Sequence, residues 1–280
     1  MGFFSRKKRK IEPVTVLPTE IAQPIQIKRL LSYRVSNLQG LGSRQAQEDS
    51  FAFANSADVT KIREKGLLAV VADGMGGMKD GKLASETAIQ SIRSDFDNFE
   101  CNKDLPGQLC DTLYNASEKV YSSLEGEGGS TAIVCLFYDE KLYYASVGDS
   151  YLILKRNGQI YHLNRKHTVF NRDCADAIRN GDMDPSYLKL NPERNALTQF
   201  LGMDELSDID CFKKPLSLES GDIVLMCSDG VGGVLSEQEI SSCLNNPCPE
   251  AMCTAIEQNI VAKGRQYQDN YTALIIQCEY

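Results

Sequence analysis

Apolar runs that stop abruptly at an acidic residue constrain this 280-residue chain more than any other feature. Val70-Val71-Ala72 runs into Asp73-Gly74, Leu225-Met226-Cys227-Ser228 runs into Asp229-Gly230, and Gln268-Asp269-Asn270 stands just before the apolar residues 271–278. A short continuous apolar run bounded by turn residues reads as a strand buried on both faces. Residues 67–72, 222–228 and 271–278 are therefore expected to be strands with something packed on each side. One aspartate beside a glycine is ordinarily a turn residue. Three at strand ends put carboxylates at the mouths of a core, and at a shared edge Asp73, Asp229 and Asp269 would repel one another unless a cation lay between them. Ligands that offer only oxygen suit Mg²⁺ or Mn²⁺ rather than Zn²⁺. A fourth acidic site, Gln47-Glu48-Asp49, precedes the alternating Phe51 and Phe53.

Periodicity organises the rest. Ala84, Ala88, Ile92 and Phe96 recur at helical spacing, as do Leu109, Leu113, Ala116, Val120 and Leu124. Four strand-like pieces follow at 131–138, 142–147, 151–155 and 159–163, the last two joined by Asn157-Gly158, the strongest short hairpin signal. Residues 165–202 are polar, broken by Pro185 and Pro192 and too long for a simple connection, so a helical flap is expected there. Ser236-Glu237-Gln238-Glu239 is a capping box that opens a helix, and residues 249–262 read as the last helix. Helices interleaved with an antiparallel meander favour an α+β sandwich over a doubly wound parallel sheet.

An apolar share of 42% suits a chain that buries a sizeable core. Thirty basic side chains face 38 acidic ones, and five of the basic ones are consecutive at residues 6–10, so the body is more acidic than the net charge of −8. Such a body repels nucleic acid and phosphorylated partners, and any phosphate chemistry on it has to lean on cations or local arginines. The 10 cysteines are scattered with no CxxC pair, and no secretory signal precedes them, so they read as reduced thiols in a cytoplasmic protein. Cys243, Cys248 and Cys253 lack a histidine partner and read as small buried hydrophobes. No apolar run reaches the ~18 residues that span a bilayer, so no stable membrane insertion is expected. Residues 1–28, with the basic run and Pro13, Pro18 and Pro24, read as a tail that cannot bury enough surface to order itself. The domain is expected over 29–280. Arg6 stands where a myristoylation signal needs serine or threonine.

Taken in order, Arg44-x-x-Gln47-Glu48-Asp49, Asp73-Gly74-Met75-Gly76-Gly77, Gly129-Ser130-Thr131, Gly148-Asp149-Ser150, Ser228-Asp229-Gly230 and Asp269-Asn270 resemble the motifs of the metal-dependent protein phosphatases of the PPM, or type 2C, family, bacterial-like in character. The resemblance runs from about Tyr33 to the C-terminus. It implies two antiparallel sheets packed face to face between outer helices, a four-layer α-β-β-α sandwich, with two divalent cations, Mn²⁺ or Mg²⁺, at one end. It implies hydrolysis of phosphoserine and phosphothreonine in proteins by a bridging hydroxide, because paired cations lower the pKa of the water between them. By motif position Asp73 bridges both metals, Asp229 and Asp269 hold one, and the Gly74 carbonyl with Glu48 serves the other. Asp49 orients metal-bound water, and Asn270 steadies Asp269. Arg44 suits the substrate phosphate because a guanidinium donates two parallel hydrogen bonds; pairing with Glu48 is its alternative. The implied partner is a phosphoprotein, and a monomer is expected.

The pattern departs from many relatives at two places. Met75 stands where eukaryotic members carry a histidine, and the two histidines, His162 and His167, are expected in a strand and on the approach to the flap. A third metal in bacterial relatives uses the aspartate of Gly-Asp-Ser, here Asp149, and an aspartate four residues after Ser-Asp-Gly, here Gly233. With Asp149 and Asp229 but without that second acid, a third ion is expected to be absent or weak. A nucleotide-binding loop at residues 76–82 fails because Leu83 replaces the hydroxyl that reaches Mg²⁺. A non-catalytic binding module on the same fold is the open alternative.

Overall fold

A computed structural model describes residues 1–2, 30–75, 80–182 and 184–280. Residues 3–28 of the expected tail and the Gly76-Gly77 pair lie outside the described residues. The chain forms β1 (Ser32–Gly40), β2 (Asp49–Ala54), α1 (Val59–Lys65), β3 (Leu67–Asp73), α2 (Gly81–Phe96), α3 (Leu105–Leu124), β4 (Ala132–Tyr138), β5 (Lys141–Val147), β6 (Tyr151–Arg156) and β7 (Gln159–His162). There follow α4 (Val169–Arg179), a 3-10 turn (Pro185–Leu190), β8 (Asp210–Cys211), β9 (Leu216–Ser217), β10 (Ile223–Cys227), α5 (Asp229–Gly232), α6 (Glu237–Cys243), α7 (Pro249–Ala262) and β11 (Tyr271–Glu279).

Two antiparallel sheets result, one ordered β1-β11-β10-β6-β7 and the other β2-β3-β4-β5-β8 with β9 also on β5. Their apolar runs are explained by what covers each face. In β3, Leu67, Ala69 and Val71 meet Leu152, Val224, Met226 and Leu274 of the other sheet. The alternate residues Leu68, Val70 and Ala72 pack on Ala84, Ala88 and Ile92 of α2 and Leu109 and Leu113 of α3. In β10, Val224 and Met226 face the sandwich interior while Ile223, Leu225 and Cys227 pack with Ile240 of α6 and Met252 and Ile256 of α7. Side chains alternate across a strand, so a strand covered on both sides must be apolar throughout. The order helix, sheet, sheet, helix is the four-layer α+β sandwich that the sequence implied.

Local chemistry explains the boundaries. Asn157 and Gly158, with φ of 52° and 79°, form the two-residue turn that brings Arg156 opposite Gln159, as the left-handed hairpin turn requires. Ser236 caps α6 reciprocally with Glu239. Two features differ from the sequence reading: α1 forms at residues to which no element was assigned, nucleated by the Asp58 carboxylate accepting from the Thr60 and Lys61 N–H groups, and the two-residue strands β8 and β9 edge the second sheet. The 165–202 stretch carries α4 and the 3-10 turn, and neither buries a side chain fully. All 10 cysteines are free, with Cys243 and Cys253 buried. Among the described residues no helix is long and apolar enough to cross a membrane.

Replacing Leu113, fully buried between α3 and the sheet, by alanine is expected to cost about 2–5 kcal/mol. Ser236→Ala, which removes a cap at the surface, is expected to cost only about 1 kcal/mol. Urea-unfolding midpoints of the two variants check both values and their order.

Candidate metal centre

The ladder between β2 and β3 sets Asp49 directly opposite Asp73. Like charges facing each other across a ladder are destabilising, so this register alone calls for a counter-charge or a proton. Asp49 is 4% exposed. Its Oδ2 accepts from the Ser228 hydroxyl at 2.8 Å, while Oδ1 is buried without a hydrogen-bond partner among the described residues. A buried carboxylate oxygen left bare is costly, and it is aimed for a cation or an ordered water.

Asp73 is held by the Gly129-Ser130-Thr131 segment. Its N–H donates to Thr131 Oγ1 at 3.1 Å, and its carbonyl accepts from the Thr131 N–H at 2.9 Å and the Ser130 hydroxyl at 3.1 Å. Thr131 Oγ1 also meets the Ser150 hydroxyl at 2.8 Å, tying Asp73 to the Asp149 turn. Asp229 opens α5 as its first residue. Asp269 ends the loop before β11, and the Asn270 N–H donates to its Oδ1 at 2.8 Å. The Asn270 side chain works elsewhere: Oδ1 accepts the Glu48 N–H at 2.8 Å and Nδ2 donates to the Leu41 carbonyl at 2.9 Å. Asn270 thus fixes the Glu48 and Arg44 segment as much as Asp269. The Gly74 N–H donates to the Glu48 carbonyl at 3.2 Å, joining the two acidic loops. The Arg44 guanidinium reaches Asp269, Nη2 to Oδ2 at 2.6 Å, and not Glu48.

The acids act on one another. Burial pushes the Asp73 carboxyl well above the usual range, and Asp49, Asp229, Asp149 and Asp269 each push it further. Burial, then Asp149, Asp269 and Asp49, raise Asp229 to about 6, against an opposing pull from Lys166. Burial also raises Asp49, Glu48 and Asp149. Among the described residues no three His, Cys, Asp or Glu side chains already close into a tight group that could hold a metal. Asp49 and Asp73 nevertheless stand opposite each other in the ladder, and Asp269 is paired with Arg44. An oxygen-only donor set with a bare buried oxygen fits a hard dication.

Sequence reasoning named the acids but gave no role to Ser228, Ser130, Thr131 and Ser150, whose hydroxyls brace them, or to Lys166. The signal lay in hydroxyl residues beside glycines within the same motifs. Both histidines lie where expected. His162, on β7, meets Glu237 at 2.9 Å, and buried His167 accepts the Gly148 N–H through Nδ1 at 3.2 Å.

Metal-free stability is expected to fall as pH rises from about 4, the unfolded aspartate value, through about 6, the folded value at Asp229. In that window the folded state binds more protons than the unfolded chain, so ∂ΔG/∂pH is negative for this group. Excess Mn²⁺ should reverse the slope, because only ionised carboxylates bind it. Thermal melts from pH 4 to 7, with EDTA and with Mn²⁺, test this; a metal-free protein that gains stability across the window through these groups contradicts it.

The protein phosphatase 2C family model matches residues 33–189. The serine/threonine phosphatase stp of Listeria innocua is 23% identical over 233 residues, 80% of this chain and 89% of its own length. Protein phosphatase PhpP of Streptococcus pneumoniae is 25% identical over 225 residues, 78% of this chain and 86% of its own. The catalytic domain of PstP, solved in complex with 2 manganese ions, superposes with a TM-score of 0.70 at 22% identity, covering 90% of this chain and all of that one. With its sandwich, its ordered motifs and its acidic mouth, the chain belongs to the protein phosphatase 2C family.

Proposed function

We propose that the protein hydrolyses phosphoserine and phosphothreonine esters of proteins with two divalent cations held at the acidic end of the sandwich. The observation that carries this reading is Asp49 set opposite Asp73 in the β2–β3 ladder, with Asp229 just after β10 and Asp269 just before β11, in a chain of the protein phosphatase 2C family. The count of two ions is supported by the manganese-bound PstP structure. Asp73, Asp229, Asp269, Glu48 and the Gly74 carbonyl are the residues that would hold them. Such a pair, when bound, makes hydroxide available near neutral pH and balances charge on the phosphoryl group.

The chain's own residues then have definite tasks. Arg44 is exposed at the rim, and among the described residues its guanidinium is held by Asp269 through one nitrogen, so its fork would be able to turn to two phosphate oxygens. Asp49 keeps Oδ2 on Ser228 and leaves Oδ1 to accept a proton from attacking water or to orient it. Met75 offers no acid, and His167 is fastened to Gly148, so the leaving serine or threonine oxygen takes its proton from solvent at the mouth. A cleft of about 550 Å³ lined partly by Gln39, Gln47, Asp49, Lys82 and Glu86 flanks the site, room for the residues around a phosphorylated side chain. The substrate is a phosphoprotein, not nucleic acid, which the acidic body disfavours. A monomeric, cytoplasmic signalling enzyme without stable membrane insertion fits these features.

Chelator-stripped protein should hydrolyse para-nitrophenyl phosphate and a phosphothreonine peptide only after Mn²⁺ or Mg²⁺ is added. Asp73→Asn and Asp229→Asn should lose that turnover while keeping the fold; metal-independent turnover, or full activity in either variant, rejects the assignment. Arg44→Ala should lower kcat/KM about 10- to 100-fold, the worth of a charge-assisted hydrogen bond pair, and Arg44→Lys should restore little of it. The same steady-state assay on both substrates measures each effect.

A further inference from the structure

A cavity of about 350 Å³ opens between the flap entry, α4 and the loop before β8. Along its lining Arg165, Lys166, Arg172 and Arg179 stand against Asp176 and Asp208. That is a positive excess on a chain whose 30 basic side chains are outnumbered by 38 acidic ones. The cavity starts beside the turn that carries Asp149. There the His167 N–H donates to the Gly148 carbonyl at 2.8 Å, and Asn164 Nδ2 donates to the Ser150 carbonyl at 2.9 Å.

His167 brings a hydrogen-bond donor to this lining. The residue is 2% exposed. Its Nδ1 accepts the Gly148 N–H at 3.2 Å, so the ring proton sits on Nε2, and Nε2 has no hydrogen-bond partner among the described residues. A buried donor left unmet is costly and calls for an acceptor. Burial, and then Arg165, push the His167 pKa down, which keeps the ring neutral. Asp208 stops short of it: its Oδ2 lies 3.8 Å from Nε2, because Arg165 Nη1 and Nη2 hold the two Asp208 oxygens at 2.9 and 2.7 Å. The other cations differ in freedom. Lys166 turns its ammonium onto the Tyr151 ring, 3.0 Å from the centre, a cation–π contact. Arg172 and Arg179, with side chains 57% and 74% exposed, pair with Asp173 and Asp176 of their own helix. Exposed pairs of this kind contribute little, so both guanidinium groups can be redirected to an incoming anion. The first N–H groups of α4 are already taken by the Ala196 and Arg194 carbonyls and by Thr168 Oγ1, so side chains, not the helix end, would hold a ligand here.

We propose that this cavity docks a carboxylate side chain of the phosphoprotein, close in sequence to the phosphorylated residue, between the His167 Nε2–H and the guanidinium groups of Arg172 and Arg179. Asp208 on Arg165 shows the chemistry such a pocket takes, a carboxylate gripped by paired N–H donors. The inference rests on the phosphatase reading above and adds a preference to it, for phosphoproteins whose phosphorylated residue stands near acidic ones. His167 and Gly148 put the cavity one residue from Asp149, within the span of a short extended peptide. Elsewhere the acidic body repels an acidic segment, so the pocket also sets the direction in which the segment lies, from the mouth towards α4.

With only His162 and His167 in the chain, the imidazole resonances of isotope-labelled, metal-free protein give a direct test by NMR. A threonine peptide flanked by glutamates, the same peptide flanked by lysines, and inorganic phosphate are added in separate arms. The His167 Nε2–H signal should shift with the glutamate peptide and not with the lysine peptide, while His162, held by Glu237, stays in place. An unmoved His167, equal shifts with both peptides, or a shift with phosphate but not with the glutamate peptide overturns the proposal. In the Mn²⁺-loaded protein, the glutamate-flanked phosphothreonine peptide should show a kcat/KM about 10-fold above its lysine-flanked counterpart, the worth of one charge-assisted hydrogen bond. The acidic body favours the lysine peptide, so a ratio above one has to come from the pocket. Arg172→Glu and Arg179→Glu, both at exposed positions, should each erase most of that ratio. A wild-type ratio of one, or a ratio that both variants keep, overturns the docking site. No turnover of either peptide overturns the phosphatase reading, and the docking site then stands or falls on the His167 shift.

Discussion

Two carboxylates facing each other across one rung of a sheet are the constraint from which the rest of the centre follows. Asp49 and Asp73 cannot drift apart, because slipping the β2–β3 register by one residue would turn the β3 side chains to the opposite faces. Those faces are committed, with Leu67, Ala69 and Val71 in the sandwich and Leu68, Val70 and Ala72 under the helices. Apolar packing therefore holds the two acids opposite each other against their repulsion. The Ser228 hydroxyl orients the Asp49 carboxylate, while Thr131, backed by Ser150, accepts from the Asp73 backbone N–H and fixes that strand end.

Around that rung the protein places two tethered cations with different freedoms. Arg44 stands half exposed on a loop and holds Asp269 by one nitrogen. Lys166 is pinned on an aromatic face by backbone hydrogen bonds on either side. One cation is available to a substrate and the other belongs to the scaffold. The acidic body needs both, since an anionic ester approaching it meets carboxylates on every side.

Much of this was legible in the sequence because the site and the core are written in the same letters. An apolar run with no polar alternation announced strands covered on both faces, and the aspartate at the end of each run marked where the cover stops. Asn157-Gly158 and Ser236-x-x-Glu239 were equally plain, being local chemistry with local consequences. The layer order came from family likeness, since periodicity cannot say which face of β3 meets a sheet and which meets a helix. Contacts between distant segments stayed hidden. Asn270 serves Glu48, 222 positions away, and Lys166 finds Tyr151 only because the hairpin and the flap entry fold against each other. α1 escaped for another reason: with no buried side chain it leaves no apolar period to read.

The first described strand pairs with the last along its full length, from Ser32 opposite Glu279 to Gly40 opposite Tyr271. Arg44 and Asp269 extend from the closed end of that ladder, so the two meet only once β11 has docked. Contacts between residues this far apart form late, after the entropy of closing the whole loop has been met. Until β11 docks, then, the sandwich can gather its helices and most of its strands while Arg44 and Asp269 stay apart, so the ordering of that one strand is the step that completes the acidic mouth.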